Sequence, residues 1–394
     1  MSDKSKRMAN SEWRIAGARP KLAIITESLR RDNHAPLRFF RRVRVVHFYW
    51  RAPYQDMTKE EFAGAVQYKG LLDLYRRLLV EKPKIIQGSE PFASRRSLLL
   101  SLVALLAARR LRVPLVFPTL ENRPLRDRIP KTLVWLTPLL VWYFGYYTRS
   151  AWRIIALNNG AASNLRAAGV PDSKIVRFPW GIWGVDRTVF KPTVKTPHPA
   201  FKQPTVFFVG RLDPEKGIRD LLHAFYILAH KYDDWNLFFI GRGVVEDEIT
   251  TFAKANRLTD RILRIDWLRS RELPAYYSAA RVTVYPSLTT RRGDEAAIQG
   301  WSEQVGTVIL QSLACGTPVV ATRSGAIPEY LPDTCGLLVP EHDPEQLAAA
   351  IERILTDDGL RARLAKNGER YIAEHFDAKK NVERAEEMVV SWLK

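Results

Sequence analysis

The residues best suited to chemistry lie in two short stretches of the second half of the chain. The stretch "WSEQVGTVILQSLACGTP", residues 301–318, holds a carboxylate at Glu303 and an amide at Gln311. A helix over 305–314, ended by Gly316, is predicted because glycine commonly follows a helix. Glu303 then lies near the start of that helix, where the dipole favours an acid. Gln311 comes eight residues, or a little over two helical turns, after Glu303, so it shares roughly one face with the start of the helix. Both side chains can therefore serve the same hydroxyl-rich ligand.

The second stretch, "VGRLDPEKG" at residues 209–217, has the pattern of an anion-binding loop. Gly210 ends a predicted strand, Arg211 follows it, and Lys216 precedes a predicted helix. In open α/β sheets, ligands bind at the carboxyl ends of the strands, and the start of a helix attracts anions. Two cations there suit a diphosphate. Two alternatives stay open: an incidental basic pair on a solvated loop, and a Glu303 that only caps its helix.

Short apolar runs alternate with helical segments along most of the chain. Strands are predicted at residues 21–26, 44–50, 83–88, 113–119, 154–159, 205–210, 236–241, 261–265, 282–287, 317–322 and 336–340. This alternation predicts βαβ units and parallel sheets, hence an α/β fold. The segment 97–110 has the length of a buried helix.

The length of 394 residues favours two domains. The proline-rich stretch 191–204 is the best linker in the sequence, because prolines stiffen and extend a chain. We therefore predict an N-terminal domain over 1–190 and a C-terminal domain over 205–372. The remaining segment, 373–394, reads as an amphipathic helix.

The net charge of +19 is unevenly distributed. Residues 1–200 carry 36 Lys and Arg against 14 Asp and Glu, whereas residues 201–394 carry 25 against 28. A basic first domain predicts an anionic partner, which is nucleic acid, an acidic substrate or a membrane surface. We expect no nucleic acid, because no recognition motif accompanies the charge.

Residues 131–147, "KTLVWLTPLLVWYFGYY", form an apolar, aromatic-rich segment of the basic domain. The apolar run is about 15 residues long, short of the roughly 20 needed to cross a bilayer. Its Trp and Tyr residues, with arginines before and after, suit a helix that lies at a membrane interface. A core helix covered by basic residues explains the pattern equally well.

The cysteines and histidines indicate neither a disulfide framework nor a metal site. Cys315 and Cys335 are the two cysteines, and no leader pattern precedes the first strand, so a cytoplasmic protein is expected. Cys315 is expected to pack as a small apolar residue. Neither metal-ligand spacing nor a cofactor motif occurs, and His34 and His47 are expected to be structural or surface residues.

Several motifs in a fixed order resemble those of the family 4 retaining glycosyltransferases, a branch of the group 1 glycosyltransferases. They are "VGRLDPEKG", "VYPS", "EQVGTVILQSLACGTPVVATRSGAIPE", "VPEHDPEQLAAAI" and "PWGIWGVDRTVFKP". The resemblance covers about 175–375 and implies the GT-B fold: two facing Rossmann-like domains with a cleft between them and a C-terminal helix that returns to the first domain. It also implies hexosyl transfer, with retention and without a metal, from a nucleotide sugar.

The acceptor and location follow from the resemblance together with the charge. We expect a lipid-linked or glycan acceptor bound by the N-terminal domain, at the anionic inner face of the cell membrane, as part of glycan or polysaccharide biosynthesis.

The resemblance also assigns roles to residues. Arg211 and Lys216 match the pair that binds the donor diphosphate and stabilises it as leaving group. Glu303 matches the first acid of an E-x7-E motif, which contacts hydroxyls of the donor sugar, and Gln311 stands where the second acid holds the ribose. The remaining donor-site residues expected are Gly210, Gly241, Trp267, Gln304, Val305 and Gly306.

Two features depart from the family pattern. The amide of Gln311 loses a charge-assisted bond of roughly 1.5–3 kcal/mol, so weaker or altered nucleotide binding is expected. No glycine-rich loop follows the first strand, where Arg30 and Arg31 are candidates to replace its amide donors. These departures keep open an alternative: a weakened, GT-B-like binding or scaffold subunit of a glycan-assembly system.

The acceptor side is expected after two strands of the first domain. The stretches "GSEPF" and "TLENRPLRD" resemble a subgroup with acids at these positions, which places Glu90, Glu121 and Asn122 near the acceptor. Glu121 is the candidate for a catalytic group there.

Overall fold

The computed structural model describes residues 19–51, 57–129, 131–290 and 301–393. The start of the predicted N-terminal domain, residues 1–18, and part of the loop before Glu303, residues 291–300, lie outside the described residues.

The first domain contains a parallel sheet in the order β3-β2-β1-β4-β5-β6-β7. Its apolar strands are buried, which explains why they read as continuous apolar runs rather than as alternating patterns. The strands are β1 Lys21–Ser28, β2 Arg44–Arg51, β3 Val66–Gln67, β4 Ile85–Gln87, β5 Leu115–Thr119, β6 Arg153–Ala156 and β7 Ile175–Arg177. The sequence did not predict β3 and β7, which are too short to give a periodic signal.

The second domain contains a parallel sheet in the order β10-β9-β8-β11-β12-β13. Its strands are β8 Thr205–Val209, β9 Asn236–Ile240, β10 Ile262–Ile265, β11 Val282–Tyr285, β12 Val319–Thr322 and β13 Gly336–Val339. All six were predicted. The order reverses between β8 and β11, and such switch points are where doubly wound sheets bind ligands.

Helices pack on the faces of both sheets. In the first domain they are Arg31–His34, Leu71–Glu81, Arg95–Leu111, Leu125–Arg128, Thr137–Ser150 and Asn159–Ala167. In the second domain they are Ile218–Ala229, Glu246–Ala255, Leu273–Ala279, Thr307–Ala314, Ile327–Tyr330, Pro344–Thr356 and Asp358–His375.

The last helix, Ala378–Trp392, returns to the first domain. Its apolar face, including Val382 and Val389, joins a core cluster with Leu22 and Ile24 of β1. The carboxylate of Glu386 accepts hydrogen bonds from three consecutive backbone N–H groups ahead of β2, at 2.7, 2.6 and 2.9 Å. The helix therefore ties the end of the chain to the N-terminal sheet.

Candidate active site between the two sheets

Glycine geometry fixes the loop that carries Lys216. Gly217 has φ +67°, and a Cβ there would lie 1.8 Å from the carbonyl oxygen of Pro286, which follows β11. The N–H of Leu288 donates to the carbonyl of Glu215 at 2.8 Å. The loop after β8 is thus fastened to the end of β11, at the switch point of the sheet.

Lys216 and Glu303 meet in a buried, hydrogen-bonded cluster. Lys216 Nζ donates to Glu303 Oε2 at 2.9 Å, and the two side chains are only 10% and 8% exposed. The hydroxyls of Tyr285 and Ser287 donate to the same oxygen at 2.8 and 3.1 Å. Lys216 Nζ also lies 4.1 Å from the centre of the Trp301 ring, a cation–π contact.

The hydroxyl of Tyr285 in this cluster keeps its proton. Burial, with the Glu303 carboxylate second, raises the pKa of Tyr285 well above its usual value. The phenol therefore stays protonated and donates its hydrogen bond at neutral pH. One carboxylate oxygen thus collects one cation and two hydroxyl donors, which is an arrangement made to hold a charge away from water.

Glu303 does not cap its helix. The helix begins at Thr307 rather than at 305, with Gly306 at the N-cap position and no side-chain cap. The capping alternative is therefore wrong, because the Glu303 carboxylate contacts the loop after β8 and the end of β11 instead. Gly306 has φ −87°, an ordinary backbone conformation, and leads the stretch after Glu303 into the helix.

Two asparagines from the first domain reach across to the Glu303 segment. Asn122 Nδ2 donates to the carbonyl of Glu303 at 2.9 Å and to Ser302 Oγ at 3.2 Å. Asn158, fully buried, donates to the carbonyl of Gln304 at 3.1 Å. The segment that carries Glu303 is therefore held by both domains at once.

A second set of hydrogen bonds joins the two domains further along the seam, the interface between them. The Glu329 carboxylate accepts from the backbone N–H of Asn159 at 2.9 Å and from Arg177 Nη2 at 2.9 Å. The hydroxyl of Tyr330 donates to the carbonyl of Leu157 at 2.9 Å. The carboxyl edges of the two sheets thus face each other across these bonds.

Arg211 lies on the same loop as Lys216 but contacts different partners. Its guanidinium pairs with Asp213 and, at 3.0 Å, with Glu215, and its side chain is 60% exposed. The predicted pair of cations therefore shares one loop, with Lys216 buried and Arg211 at the surface.

The other predicted donor-site residues are spread along the same edge. Gly210 and Gly241 end β8 and β9, and a Cβ on Gly241 would lie 1.9 Å from the carbonyl oxygen of Gly210. Gln311 Oε1 accepts from the Tyr277 hydroxyl at 3.1 Å. Trp267 follows β10 at the edge of the sheet and is 49% exposed.

The predicted acceptor-side acids are both paired with arginines. Glu90 accepts from buried Arg128 at 2.5 Å, and burial raises the pKa of Glu90 despite that cation. Burial also opposes ionisation of Glu121, but bonds from Arg123 and the charge of Arg128 outweigh it and lower the pKa of Glu121. Glu121 accepts from Arg123 Nε at 2.8 Å.

The cysteines and histidines pack in the interior or on the surface of the described chain. Cys315 is buried, and burial raises the pKa of its thiol to about 12, as expected of a small packing residue. His47 is buried, beside His34. Within the described residues, no group of three or more His, Cys, Asp or Glu side chains is arranged to hold a metal ion.

Several site residues were missed by the sequence reasoning. Tyr285 ends β11 and Ser287 follows two positions later, and in a strand predicted over 282–287 their side chains would point the same way. That spacing was the available signal. No comparable signal marked Trp301 or Asn158, whose roles depend on contacts between segments far apart in the sequence.

The second domain resembles known glycosyltransferases in sequence. Residues 191–371 match the family model described as glycosyl transferases group 1. The chain is 26% identical over 270 residues to α-D-kanosaminyltransferase of Streptomyces kanamyceticus, covering 66% of each chain. It is 35% identical over 171 residues to D-inositol 3-phosphate glycosyltransferase of Acidothermus cellulolyticus, covering 41% of this chain and 35% of that one. The chain thus spans between about a third and two thirds of these relatives.

A solved structure confirms the fold over most of the chain. The Anabaena protein HepE, determined with UDP-glucose, superposes with a TM-score of 0.71 at 17% identity, covering 94% of this chain and 99% of that chain. The predicted GT-B fold is therefore confirmed: two facing parallel-sheet domains, followed by a helix that returns to the first.

Proposed function

We propose that this protein is a retaining glycosyltransferase of family 4, a hexosyltransferase that moves a sugar from a nucleotide-sugar donor to an acceptor. The observation that carries the proposal is the buried Lys216–Glu303 pair at the switch point of the second sheet, held from the first domain by Asn122 and Asn158. The similarity to named glycosyltransferases and the fold of HepE support it.

In the proposal, the donor lies along the carboxyl edge of the second sheet. Lys216 and Arg211 bind its diphosphate, with Arg211 exchanging its bonds to Asp213 and Glu215 for bonds to phosphate. Glu303 accepts hydrogen bonds from hydroxyls of the donor sugar. Gln311 holds the ribose through its amide nitrogen, while its oxygen keeps the bond from the Tyr277 hydroxyl.

The proposed reaction is a front-face displacement at the anomeric carbon. The bond from that carbon to the diphosphate oxygen breaks with its electron pair, the acceptor hydroxyl forms the new bond on the same face, and its proton passes to the departing phosphate. Such chemistry depends on positioning and on stabilising the charge of the leaving group. Lys216, the buried cation, is suited to that second task, and the proposed step uses no metal ion.

The proposed acceptor contacts the first domain. Glu121 and Asn122 are adjacent in sequence: Glu121 is ionised beside Arg123, and Asn122 holds the Glu303 segment. An acceptor hydroxyl bound by Glu121 would therefore sit beside the donor side of the seam. Glu90 lies behind it, on the other side of Arg128.

We further propose a lipid-linked acceptor at the inner face of the cell membrane. The helix Arg95–Leu111 buries one face in the core, as expected, but exposes Leu99, Leu102 and Leu106 on another, each more than 40% exposed. The neighbouring helix Thr137–Ser150 buries one face and exposes Leu139 and Trp142 at 56% and 58%.

Cations accompany this exposed apolar surface. The guanidinium of Arg109 lies 4.7 Å from the Tyr146 ring, and that of Arg153 lies 4.7 Å from the ring of Trp152, which is 47% exposed. Apolar and aromatic side chains beside arginines are the composition of surfaces that dock on anionic bilayers. None of the helices in the described ranges is long and apolar enough to cross a membrane.

The proposal is tested by product formation with a panel of nucleotide sugars. We expect one donor to support transfer to a lipid-linked or glycan acceptor, with the anomeric configuration retained in the ¹H NMR spectrum of the product. Glu303→Gln should lower turnover at least about a hundredfold if the carboxylate acts mainly in the transition state. An inverted product would contradict the retaining mechanism, and unchanged turnover in Glu303→Gln would contradict the site.

The membrane part has its own test. Leu102→Asp should reduce sedimentation with phosphatidylglycerol vesicles, whereas Leu72→Asp, on the helix Leu71–Glu81 and 60% exposed, is the matched control and should not. Equal binding by both variants would remove the membrane from the proposal.

A non-catalytic binding or scaffold subunit is the second candidate. It is favoured by the amide at Gln311, whose oxygen is taken by Tyr277. Binding of a nucleotide sugar without turnover of any acceptor would support it, and transfer that Glu303→Gln abolishes would exclude it.

A further inference from the structure

A cavity of about 890 Å³ lies in the first domain, apart from the donor site. It is bordered by β1 and β2, the segment 31–40, the loop 60–64 and the connector 186–189. Neither Lys216 nor Glu303 lines it. A space of this volume is the size of a small-molecule site.

Basic side chains outnumber acids around this cavity. Its lining contains five Lys or Arg residues and three carboxylates. Arg38 pairs with Asp186 at 2.6 Å and Lys21 with Glu81 at 2.7 Å. Arg19 and Arg44 form no ion pair with any residue in the described part of the chain, and neither does the carboxylate of Glu60, so the lining and its ion-pair partners keep a small excess of positive charge.

Arg31 has donor capacity that the described residues leave unused. Its Nη2 pairs with Glu61 at 2.8 Å, but its Nη1 is buried and has no hydrogen-bond partner among the described residues. A buried N–H group without an acceptor is costly, and a guanidinium accommodates a carboxylate or phosphate through two adjacent nitrogens. Because Arg31 lines the cavity, a small movement of its side chain would let an anion there supply the missing acceptor.

The rest of the wall is polar but uncharged, or apolar. His34 Nδ1 and His47 Nδ1 lie 2.9 Å apart, so one donates to the other, and His47 Nε2 lies 2.8 Å from Thr26 Oγ1. Leu37, Phe40 and Val45 add apolar surface. Such a wall suits the hydroxyls and C–H faces of a saccharide, while the arginines select its acid.

The cavity also borders the seam between the domains. Glu61 Oε1 contacts Arg31 at 2.8 Å and Arg271 of the second domain at 3.2 Å. An anion that pairs with Arg31 therefore binds beside a carboxylate that both domains share.

We infer that this cavity receives an acidic group of the acceptor, a phosphate or carboxylate carried on a saccharide. The inference rests on the proposed function, since it names the class of acceptor that the first domain takes. The acceptor is then an acidic glycan or a phosphorylated sugar rather than a neutral one.

Isothermal titration with glucuronate, inorganic phosphate and glucose tests the inference. Glucuronate and phosphate should bind at least about tenfold more tightly than glucose, and Arg31→Gln should remove most of that difference. Ala63→Trp, at an exposed position of the lining, should block the cavity without touching the core. Arg219→Gln is the control, since Arg219 pairs with Glu248 at 2.7 Å on the surface and neither residue lines the cavity; it should keep binding within about twofold.

Glucose binding as tight as glucuronate, or unchanged glucuronate binding in both Arg31→Gln and Ala63→Trp, would overturn the inference. UDP-glucose and GDP-mannose are titrated into the same samples. If a nucleotide sugar binds while glucuronate and phosphate do not, this inference fails alone. If no nucleotide sugar binds the unaltered protein, the proposed function fails. Phosphatidylglycerol vesicles identify the source of the acid. Displacement of glucuronate by vesicles would contradict an acid carried on a saccharide and point to a lipid phosphate, and no displacement supports a soluble or glycan acid.

Discussion

Replacing Lys216 with methionine should destabilise the protein through the charge that it leaves behind. Methionine keeps most of the length and the contact with Trp301, but Glu303 then stays 8% exposed with only the Tyr285 and Ser287 hydroxyls as donors. Removing one partner of a buried ion pair costs about 3–5 kcal/mol. We expect about 3 kcal/mol, because two of the three donors remain.

Adding Glu303→Gln to Lys216→Met should restore much of this loss. The amide oxygen can still accept from the two hydroxyls, and no charge remains buried, so the double variant should unfold within about 1–2 kcal/mol of the unaltered protein. The coupling energy comes from urea unfolding of the four proteins in a double-mutant cycle.

Lys231→Met supplies the matched control for this cycle. Lys231 pairs with Glu352 at 3.2 Å on the surface, with the lysine 55% exposed, so the loss should be below about 1 kcal/mol. The reasoning is refuted if Lys216→Met costs no more than this control, or if the two substitutions at the site simply add.

Three further predictions concern the scaffold. Gly217→Ala should displace the loop that carries Lys216, because the alanine Cβ would lie 1.8 Å from the Pro286 carbonyl oxygen. We expect lost donor binding and a lower Tm. An unchanged Tm would contradict this. Glu386→Ala should cost about 3 kcal/mol in urea unfolding, since three backbone N–H groups lose a charged acceptor; a cost below about 1 kcal/mol would argue against the anchor. Burial lowers the pKa of His47 to about 3, so the unfolded chain binds more protons than the folded one between that pH and about 6.5. The free energy of unfolding should therefore fall by about 2 kcal/mol from pH 6.5 to pH 5. In His47→Asn this decline should be shallower.

Most strands of the two sheets could be predicted from the sequence because buried parallel strands leave continuous apolar runs, whereas the short strands β3 and β7 could not. The helix Arg95–Leu111 shows the limit of that reasoning. Its length and apolar content indicated burial, and one face with Leu100 and Ala104 is buried, yet Leu99, Leu102 and Leu106 are exposed. Composition records how apolar a helix is, but the side that faces the core depends on which neighbours cover it.

The candidate site was predictable in its residues and less so in its contacts. The order of the motifs pointed to Lys216 and Glu303, and the structure brings them to 2.9 Å. The ion pairs of Arg211 with Asp213 and Glu215 could have been predicted from their spacing of two and four residues. They occupy the guanidinium that was expected to bind the diphosphate. The bonds from Asn122 and Asn158 could not be read from the sequence, because they depend on how the two domains face each other.

Titration of nucleotide sugars into the unaltered protein and into Lys216→Met tests the central claim most directly. If the Lys216–Glu303 cluster is the donor site, UDP-glucose, GDP-mannose or a related donor should bind the unaltered protein, and Lys216→Met should weaken that binding at least about tenfold, as expected for a lost charge-assisted bond to phosphate. Lys231→Met should leave it unchanged. Equal donor affinity in Lys216→Met and the unaltered protein would contradict the assignment of this cluster as the donor site.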